Sequence, residues 1–411
     1  MQSGRMNDTP IILQSLPTAK QVMRIAVVTE TYPPEINGVA MTIGRMVSAL
    51  QERNHQIQLI RPRQHSQENP AHAENFEEVL QRGMPIPRYD GLKMGLPAKS
   101  ALVRLWSIKR PDIVHIATEG PLGWSALAAA NKLKIPTSTD FHTNFHVYSK
   151  HYGFGWLRTP IIAYLRKFHN KALCTMVPTQ GIRHELRESG YDNLIVVRRG
   201  VDTVHFTPAK RSQELRRQWG VSENDPVILY VGRLAPEKNL PLVLEAFNAI
   251  RKKQPAAKLV LVGDGPERHR MQAENPNHIF AGMRIDDDLA THYASADAFL
   301  FPSTSETYGN VTMEAMASGL AVVAYNYAAA AEHIEHGRNG LVADFDNAKQ
   351  FTELAVSLLD DHATLTTLGK NARLTTQAID WKDIYDQFEQ VLLEIVNREY
   401  SNNAQISFQA S

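Results

Sequence analysis

Short apolar runs alternate along this chain with longer stretches in which apolar residues recur every three or four positions. Residues 22–29 (VMRIAVVT) are a continuous apolar run bounded by polar residues, the pattern of a strand buried on both faces of a parallel sheet. After the loop ETYPPEING, the stretch VAMTIGRMVSALQERN has helical spacing, so the two make a first strand-and-helix unit. Strands are predicted at 56–61, 111–118 and 135–139, with helices at 98–109 and 122–133 between them. Residues 63–95 are polar and rich in Pro and Gly and predict no element. At 198–208 (RRGVDTVHFTP) turn residues replace the regular pattern, and a second series begins with the strand 227–232. It continues with a helix at 240–253, strands at 259–263 and 278–281, a helix around 289–294 and strands at 298–301 and 321–325. A helix at 351–359 and an amphipathic helix around 381–396 close the chain. Alternation of this kind predicts an α/β fold with two doubly wound sheets.

Length agrees with that division. At 411 residues the chain predicts two domains of roughly 180 to 200 residues. The expected boundaries are a flexible leader at 1–21, a first domain at 22–200, a second at 201–380, a helix at 381–400 and a disordered tail at 401–411. Lys plus Arg (44) balance Asp plus Glu (43), so no global field argues for a nucleic acid partner. The single cysteine, Cys174, excludes an intramolecular disulfide and fits a reducing compartment; within LCTMV it reads as a buried, inert thiol. No run reaches the 18 or so apolar residues of a membrane span. The expected location is the cytoplasm, with peripheral contact with the inner face of the membrane left open.

The candidate chemistry centres on residues 298–319, AFLFPSTSETYGNVTMEAMASG, which read as strand, loop and helix. A loop delivered to a helix N-terminus presents free N–H groups, here those of Tyr308, Gly309, Asn310 and Val311, to an anion such as a diphosphate. Glu306 in the loop and Glu314 in the helix can accept bonds from hydroxyls on either side of it, although two glutamates eight apart also occur as ordinary helix residues. Arg233 and Lys238 share the loop leaving the strand 227–232, where two cations can neutralise a leaving diphosphate or simply be solvated. Gly38 either lets the backbone approach a ligand or forms a turn with Asn37. Asp140, His142 and Thr143 follow a strand's carboxyl end, where ligands sit in open α/β sheets. His142 and His146 have the spacing of a metal pair, but Thr143 stands where a zincin's base would be and no third ligand is evident. Residues 156–171 mix Arg158, Arg166, Lys167 and Lys171 with apolar residues, as an amphipathic surface helix or one lying on an anionic bilayer does. GDGPER at 263–268 matches only part of a dinucleotide fingerprint, and Asp286 to Asp288 suit a helix N-terminus better than a metal.

Together SETYGNVTMEAMASG, VGRLAPEKN, TETYPPEINGVA, DFHT at 140–143 and RRGVDTVHF resemble the GT-B glycosyltransferases of family 4 over roughly residues 22–395. LPAKSALVRLWSIKRPDIVHIATEG and HTNFHVYSKHYG resemble its lipid-directed subgroup, which includes sulfoquinovosyl diacylglycerol synthase and GDP-mannose-dependent mannosyltransferases of glycolipids. The resemblance implies two Rossmann-like domains facing a cleft, with the last helix crossing back to the first. It implies a retaining, metal-independent transfer of a hexose from a UDP-sugar or GDP-mannose to a lipid or glycolipid such as diacylglycerol, with no cofactor. It assigns Glu306 to the sugar hydroxyls, Glu314 to the ribose, Arg233 and Lys238 to the diphosphate and His142 to the region of the anomeric centre. Asn37, Gly38, Gly232, Gly263, Tyr308, Gly309, Asn310 and Val311 complete the implied donor contacts. The chain departs from the family at 327–332, where Tyr-Ala-Ala-Ala-Ala-Glu replaces a Gly-Gly pair. A GT-B enzyme with a soluble sugar or sugar-phosphate acceptor and a catalytically idle sugar-nucleotide binder are the competing readings.

Overall fold

The structure is a computed structural model that describes residues 21–35, 37–86, 89–142, 158–379 and 381–409. The expected leader, Thr143, His146 and the start of the 156–171 segment lie outside the described residues. The first lobe runs β1 (Arg24–Val28), α1 (Gly38–Glu52), β2 (Gln56–Pro62), β3 (His72–Ala73), β4 (Phe76–Gln81), β5 (Gly83–Ile86) and β6 (Tyr89–Gly95). It continues with α2 (Lys99–Ile108), β7 (Ile113–Ile116), α3 (Pro121–Leu133), β8 (Thr137–Asp140), α4 (Arg158–His169), β9 (Cys174–Val177), α5 (Gln180–Glu188) and β10 (Leu194–Val196). Its sheet has the order β10-β9-β8-β7-β1-β2-β4-β3, parallel except for the short β3–β4 pair.

Both faces of that sheet are covered, as the unbroken apolar strands require. Ile25 and Val27 of β1 face Ile43 and Leu50 of α1, while Ala26 and Val28 pack with Trp106 of α2, Leu122 of α3 and Phe168 of α4. Residues 63–95, which predict no element, supply β3, β4 and the β5–β6 hairpin. Among the described residues of these strands only Glu78 of β4 and Gly95 of β6 are buried, and neither carries an apolar side chain, so the apolar signal is weak.

The second lobe runs α6 (Gln213–Gln218), β11 (Val227–Val231), α7 (Leu240–Lys253), β12 (Lys258–Val262), α8 (Arg268–Glu274), β13 (Ile279–Gly282), α9 (Asp286–Ala294), β14 (Ala298–Phe301), α10 (Asn310–Ala317), β15 (Ala321–Tyr325), α11 (Ala328–His333), β16 (Leu341–Ala343), α12 (Ala348–Ser357) and α13 (His362–Gln377). Its all-parallel sheet has the order β13-β12-β11-β14-β15-β16.

The last helix, α14 (Trp381–Gln409), returns to the first lobe. Ile384, Phe388, Leu392 and Ile395 recur at helical spacing and join the cluster of Ile25, Val27 and Ile43. Arg53 fixes this contact through Asp386 (2.6 Å) and Glu389 (2.9 Å), and His55 adds a bond to Glu389 (2.9 Å). The helix outruns the expected end at 400 and takes up most of the expected tail, because no Gly or Pro follows Trp381 to break it.

Each sheet has one point where the strand order reverses, between β1 and β7 in the first lobe and between β11 and β14 in the second. Ligands of open α/β sheets bind outside the carboxyl ends of strands at such points. The loops after β1, β11 and β14 hold most of the residues singled out in the sequence.

Candidate active site

At the second lobe's reversal point the loops after β11 and β14 meet. Lys238, at the end of a short 3-10 turn, is 12% exposed and forms an ion pair with Glu306, 16% exposed, from the other loop. Ser303 Oγ donates to the same Glu306 oxygen (2.7 Å), and Ser305 Oγ donates to the Glu237 carbonyl (3.1 Å), so the two loops are stitched together. Arg233, partly exposed, lies 3.5 Å from the buried carboxylate of Glu237. The sequence separates Lys238 from Glu306 by 68 positions, and the fold makes them neighbours.

Gly309 turns the chain into α10 with φ +88°, a left-handed conformation that glycine adopts freely. The first turn of α10 leaves the N–H groups of Asn310 and Val311 without intrahelical acceptors. Gly38, the first residue of α1, faces this turn: a Cβ there would lie 3.4 Å from Asn310 Nδ2. Two helix N-termini thus oppose each other across the cleft. Asn37 is the helix cap of α1, with Oδ1 accepting from Ala40 N (2.9 Å) and Nδ2 donating to Thr31 (2.7 Å), so both ends of its side chain serve the loop. Gly263 also has a structural task, since a Cβ there would lie 2.0 Å from the Gly232 carbonyl oxygen and keep the β11 and β12 loops apart, whereas a Cβ on Gly232 would meet the Tyr230 hydroxyl of its own strand at 2.9 Å.

A cavity of about 560 Å³ opens between the lobes. Glu35 and Arg45 line it from the first lobe, Arg199 and Asp202 from the connection, and Arg284, Asn310 and Glu314 from the second. It reaches Asn310 and Glu314 but not Lys238 or Glu306. A separate cavity of about 610 Å³ beside α7 and α8 contains none of the candidate residues. Glu314 accepts a bond from Tyr293 Oη (2.9 Å), and burial pushes its carboxyl up to about 7 against the opposing effects of Tyr293 and Arg45.

His142 differs from the expected arrangement. Its ring is 5% exposed and turned into the protein, with Nδ1 accepting from Arg199 Nη2 (3.1 Å) and Nε2 lying 3.0 Å from Asp140 Oδ2, off the hydrogen-bond line. Burial, and then Arg199, hold the ring below the ordinary histidine range, while Asp140 opposes them. Despite its own burial, Asp140 is held well below the usual carboxylate range by His115 and His142. The part of His142 that faces the other lobe is its carbonyl, which accepts from Thr307 Oγ1 (2.7 Å). Tyr308 is nearly buried, and its hydroxyl donates to the Arg199 carbonyl (2.8 Å). Of these contacts, RRGVD was visible as a motif, but nothing in the pattern singled out Arg199, Thr307 or Tyr293.

The run at 327–332 becomes α11, and Ala328 adopts φ +52°, a conformation that glycine takes without strain. Cys174 is buried in β9, which pushes its thiol up to about 12. Asp286, Asp287 and Asp288 form the first turn of α9. Among the described residues no group of three or more His, Cys, Asp or Glu is arranged to hold a metal ion. Among them, too, no helix is long and apolar enough to cross a membrane.

Known proteins share this architecture and much of the sequence. Residues 36–205 match the model of Glycosyltransferase Family 4, and residues 211–375 match that of Glycosyl transferases group 1. The GDP-mannose-dependent alpha-mannosyltransferase of Corynebacterium glutamicum is 33% identical over 341 residues, 82% of this chain and 81% of that one. The sulfoquinovosyl transferase of Arabidopsis thaliana is 32% identical over 310 residues, 73% of this chain and 60% of that one. Among solved structures, sucrose-phosphate synthase from Thermosynechococcus elongatus superposes with a TM-score of 0.74 at 20% identity, over 91% of this chain and 99% of that one, which establishes the two-lobed GT-B fold. The chain belongs to the glycosyltransferases of family 4 and is a hexosyl-transferring enzyme.

Proposed function

We propose that this enzyme moves a hexosyl group from a nucleoside diphosphate sugar, a UDP-sugar or GDP-mannose, to a hydroxyl of a lipid or glycolipid such as diacylglycerol, with retention and without a metal ion. The observation that carries this reading is the meeting of Lys238, Glu306 and the α10 N-terminus at the second lobe's reversal point, beside a cavity walled by Glu314. The diphosphate lies against the α10 N–H groups, with Lys238 and Arg233 beside it, and Glu314 accepts from the ribose hydroxyls. As the sugar–phosphate bond lengthens, negative charge grows on the departing oxygen, and fixed cations stabilise it without reorganising. Donor binding draws Lys238 towards phosphate and leaves Glu306 to accept from sugar hydroxyls. The acceptor hydroxyl enters on the face from which the diphosphate leaves, and its proton passes to the departing phosphate oxygen.

A lipid acceptor is supported by another relative, the alpha-monoglucosyldiacylglycerol synthase of Streptococcus pneumoniae, 29% identical over 74% of this chain and 71% of that one, and by the charge of the first lobe. Helices α2, α3 and α4 contain no Asp or Glu, although the whole chain is nearly neutral. Lys99, Arg104, Lys132, Arg166 and Lys167 are exposed on them, and each cation near an anionic bilayer adds about 1 kcal/mol of attraction. This extends the segment singled out at 156–171 to a face made of three helices. The enzyme works peripherally on the inner face of the cytoplasmic membrane. The test is a panel of UDP- and GDP-sugars scored by thermal shift, in which a donor at 100 times its Kd stabilises the protein by about 2.7 kcal/mol. If no donor shifts the unfolding midpoint, the reading fails.

A further inference from the structure

Asp140, His142 and Arg199 form a buried cluster between the lobes, with side chains 7%, 5% and 8% exposed. An arginine side chain has donors only. The 3.1 Å contact between Arg199 Nη2 and His142 Nδ1 therefore makes Nδ1 the acceptor, and the hydrogen of the neutral ring sits on Nε2, facing Asp140. Arg199 in this way selects one of the two tautomers. The same pair supports the sugar-holding loop from the first-lobe side. Thr307 and Tyr308, the two residues after Glu306, donate to the carbonyls of His142 (2.7 Å) and Arg199 (2.8 Å). Thr307, His142, Arg199 and Tyr308 thereby close a ring of bonds joining both lobes and their connection.

We propose that Arg199 is a positioning residue for sugar transfer: it fixes His142 in the Nε2–H tautomer and, through its carbonyl and that of His142, sets the Glu306 loop against the first lobe. This rests on the reading of that loop as the donor's sugar site. The Arg199 guanidinium is turned onto His142 and Asp140, with the side chain 8% exposed. Its removal is expected to lower kcat rather than donor affinity, since Lys238, Glu314 and the α10 N-terminus remain.

The groups around the His142 ring define a second readout. Asp140 on β8 faces Nε2, His115 on β7 lies 3.7 Å from that carboxylate, and Arg199 faces Nδ1. Glu119, after β7, also acts on the ring, and Arg198, Glu332 and His333 surround Tyr308 on the side of the connection and α11. Arg199 is the cation in direct contact with the ring. Without it Nδ1 can take a proton while Asp140 stabilises the imidazolium, so His142 titrates at higher pH.

The experiment compares Arg199→Met, which removes charge and donors, with Arg199→Lys, which keeps a cation and a donor. Arg199→Met should lose about 10- to 100-fold in kcat at pH 8, the range of one charge-assisted bond, with donor KM changed less than about threefold. Its rate should fall further as pH drops, and Arg199→Lys should restore the wild-type profile. A pH profile of Arg199→Met that superposes on the wild type overturns the proposal. Should that variant not fold, nitrogen-15 NMR of the wild-type histidines, with His142 assigned from His142→Asn, reads the tautomer directly. Nε2–H is expected, and Nδ1–H overturns the proposal. A wild type inactive with every donor defeats the functional reading instead, and the tautomer measurement still decides the part played by Arg199.

Discussion

Replacing Glu314 by glutamine separates the stability of the pocket from its function. Burial raises the Glu314 carboxyl from its ordinary 4.5 to about 7, so the folded protein holds this proton more tightly than the unfolded chain does. With the folded value above the unfolded one, stability falls as pH rises from about 4.5 to about 7 and stays low above it. At pH 8 the penalty for the ionised group is up to about 3 kcal/mol. Glutamine keeps an acceptor oxygen for the Tyr293 hydroxyl and carries no charge, so Glu314→Gln should unfold at higher temperature than the wild type at pH 8 and show little gain at pH 4.5. The same change should weaken nucleoside diphosphate binding about 10- to 100-fold at pH 8, because hydroxyls then meet a neutral acceptor instead of a carboxylate. Wild-type affinity should itself fall about tenfold between pH 8 and pH 6, as the ionised fraction drops from about nine-tenths to about one-tenth. Calorimetric titration with UDP and GDP, together with scanning calorimetry at each pH, measures both effects. A glutamine variant that is no more stable at pH 8 and binds nucleotide as tightly as the wild type would refute this account of Glu314.

Lys238→Ala and Glu306→Ala should each lower kcat by about 10²- to 10³-fold with unchanged circular dichroism, the range seen when one fixed transition-state contact is lost; near-normal initial rates in either folded variant would remove it from the mechanism. Ala328→Gly should stabilise the protein by about 0.5–1 kcal/mol in urea unfolding by relieving the left-handed backbone, and a destabilised variant would mean that the packing of the alanine methyl outweighs the strain. The double change Arg166→Glu and Lys167→Glu should reduce co-sedimentation with anionic vesicles severalfold, and more at low salt than at high salt, while donor hydrolysis in detergent stays the same. Equal sedimentation of variant and wild type would rule out α4 as a contact.

The parts of the fold that were legible in the sequence share one property: their elements are buried on the sides the pattern reports. β1, β11 and β14 are unbroken apolar runs because both faces of each sheet are covered. β3 and the β5–β6 hairpin carry little apolar signal, and α13 went unpredicted because its buried positions, Leu365, Leu368, Gly369, Ala372 and Thr376, are partly small or polar. The motifs located the loops but not the contacts between them. Glu306 and Lys238 were each identifiable from their positions, yet their pairing follows from β11 and β14 lying side by side. His142 stood at the right strand end, but the direction of its ring depends on Arg199, 57 residues away. The value of about 7 for Glu314 follows from burial between lobes, which no local pattern encodes.

The most direct test of lipid-directed transfer is to incubate the enzyme with labelled nucleotide sugars and vesicles containing diacylglycerol or glycolipid, then partition the products between water and organic solvent. The account predicts label in the organic phase as an α-linked glycolipid, in equal yield with and without EDTA. Label that remains in water with every donor and acceptor, or transfer that EDTA abolishes, would contradict it.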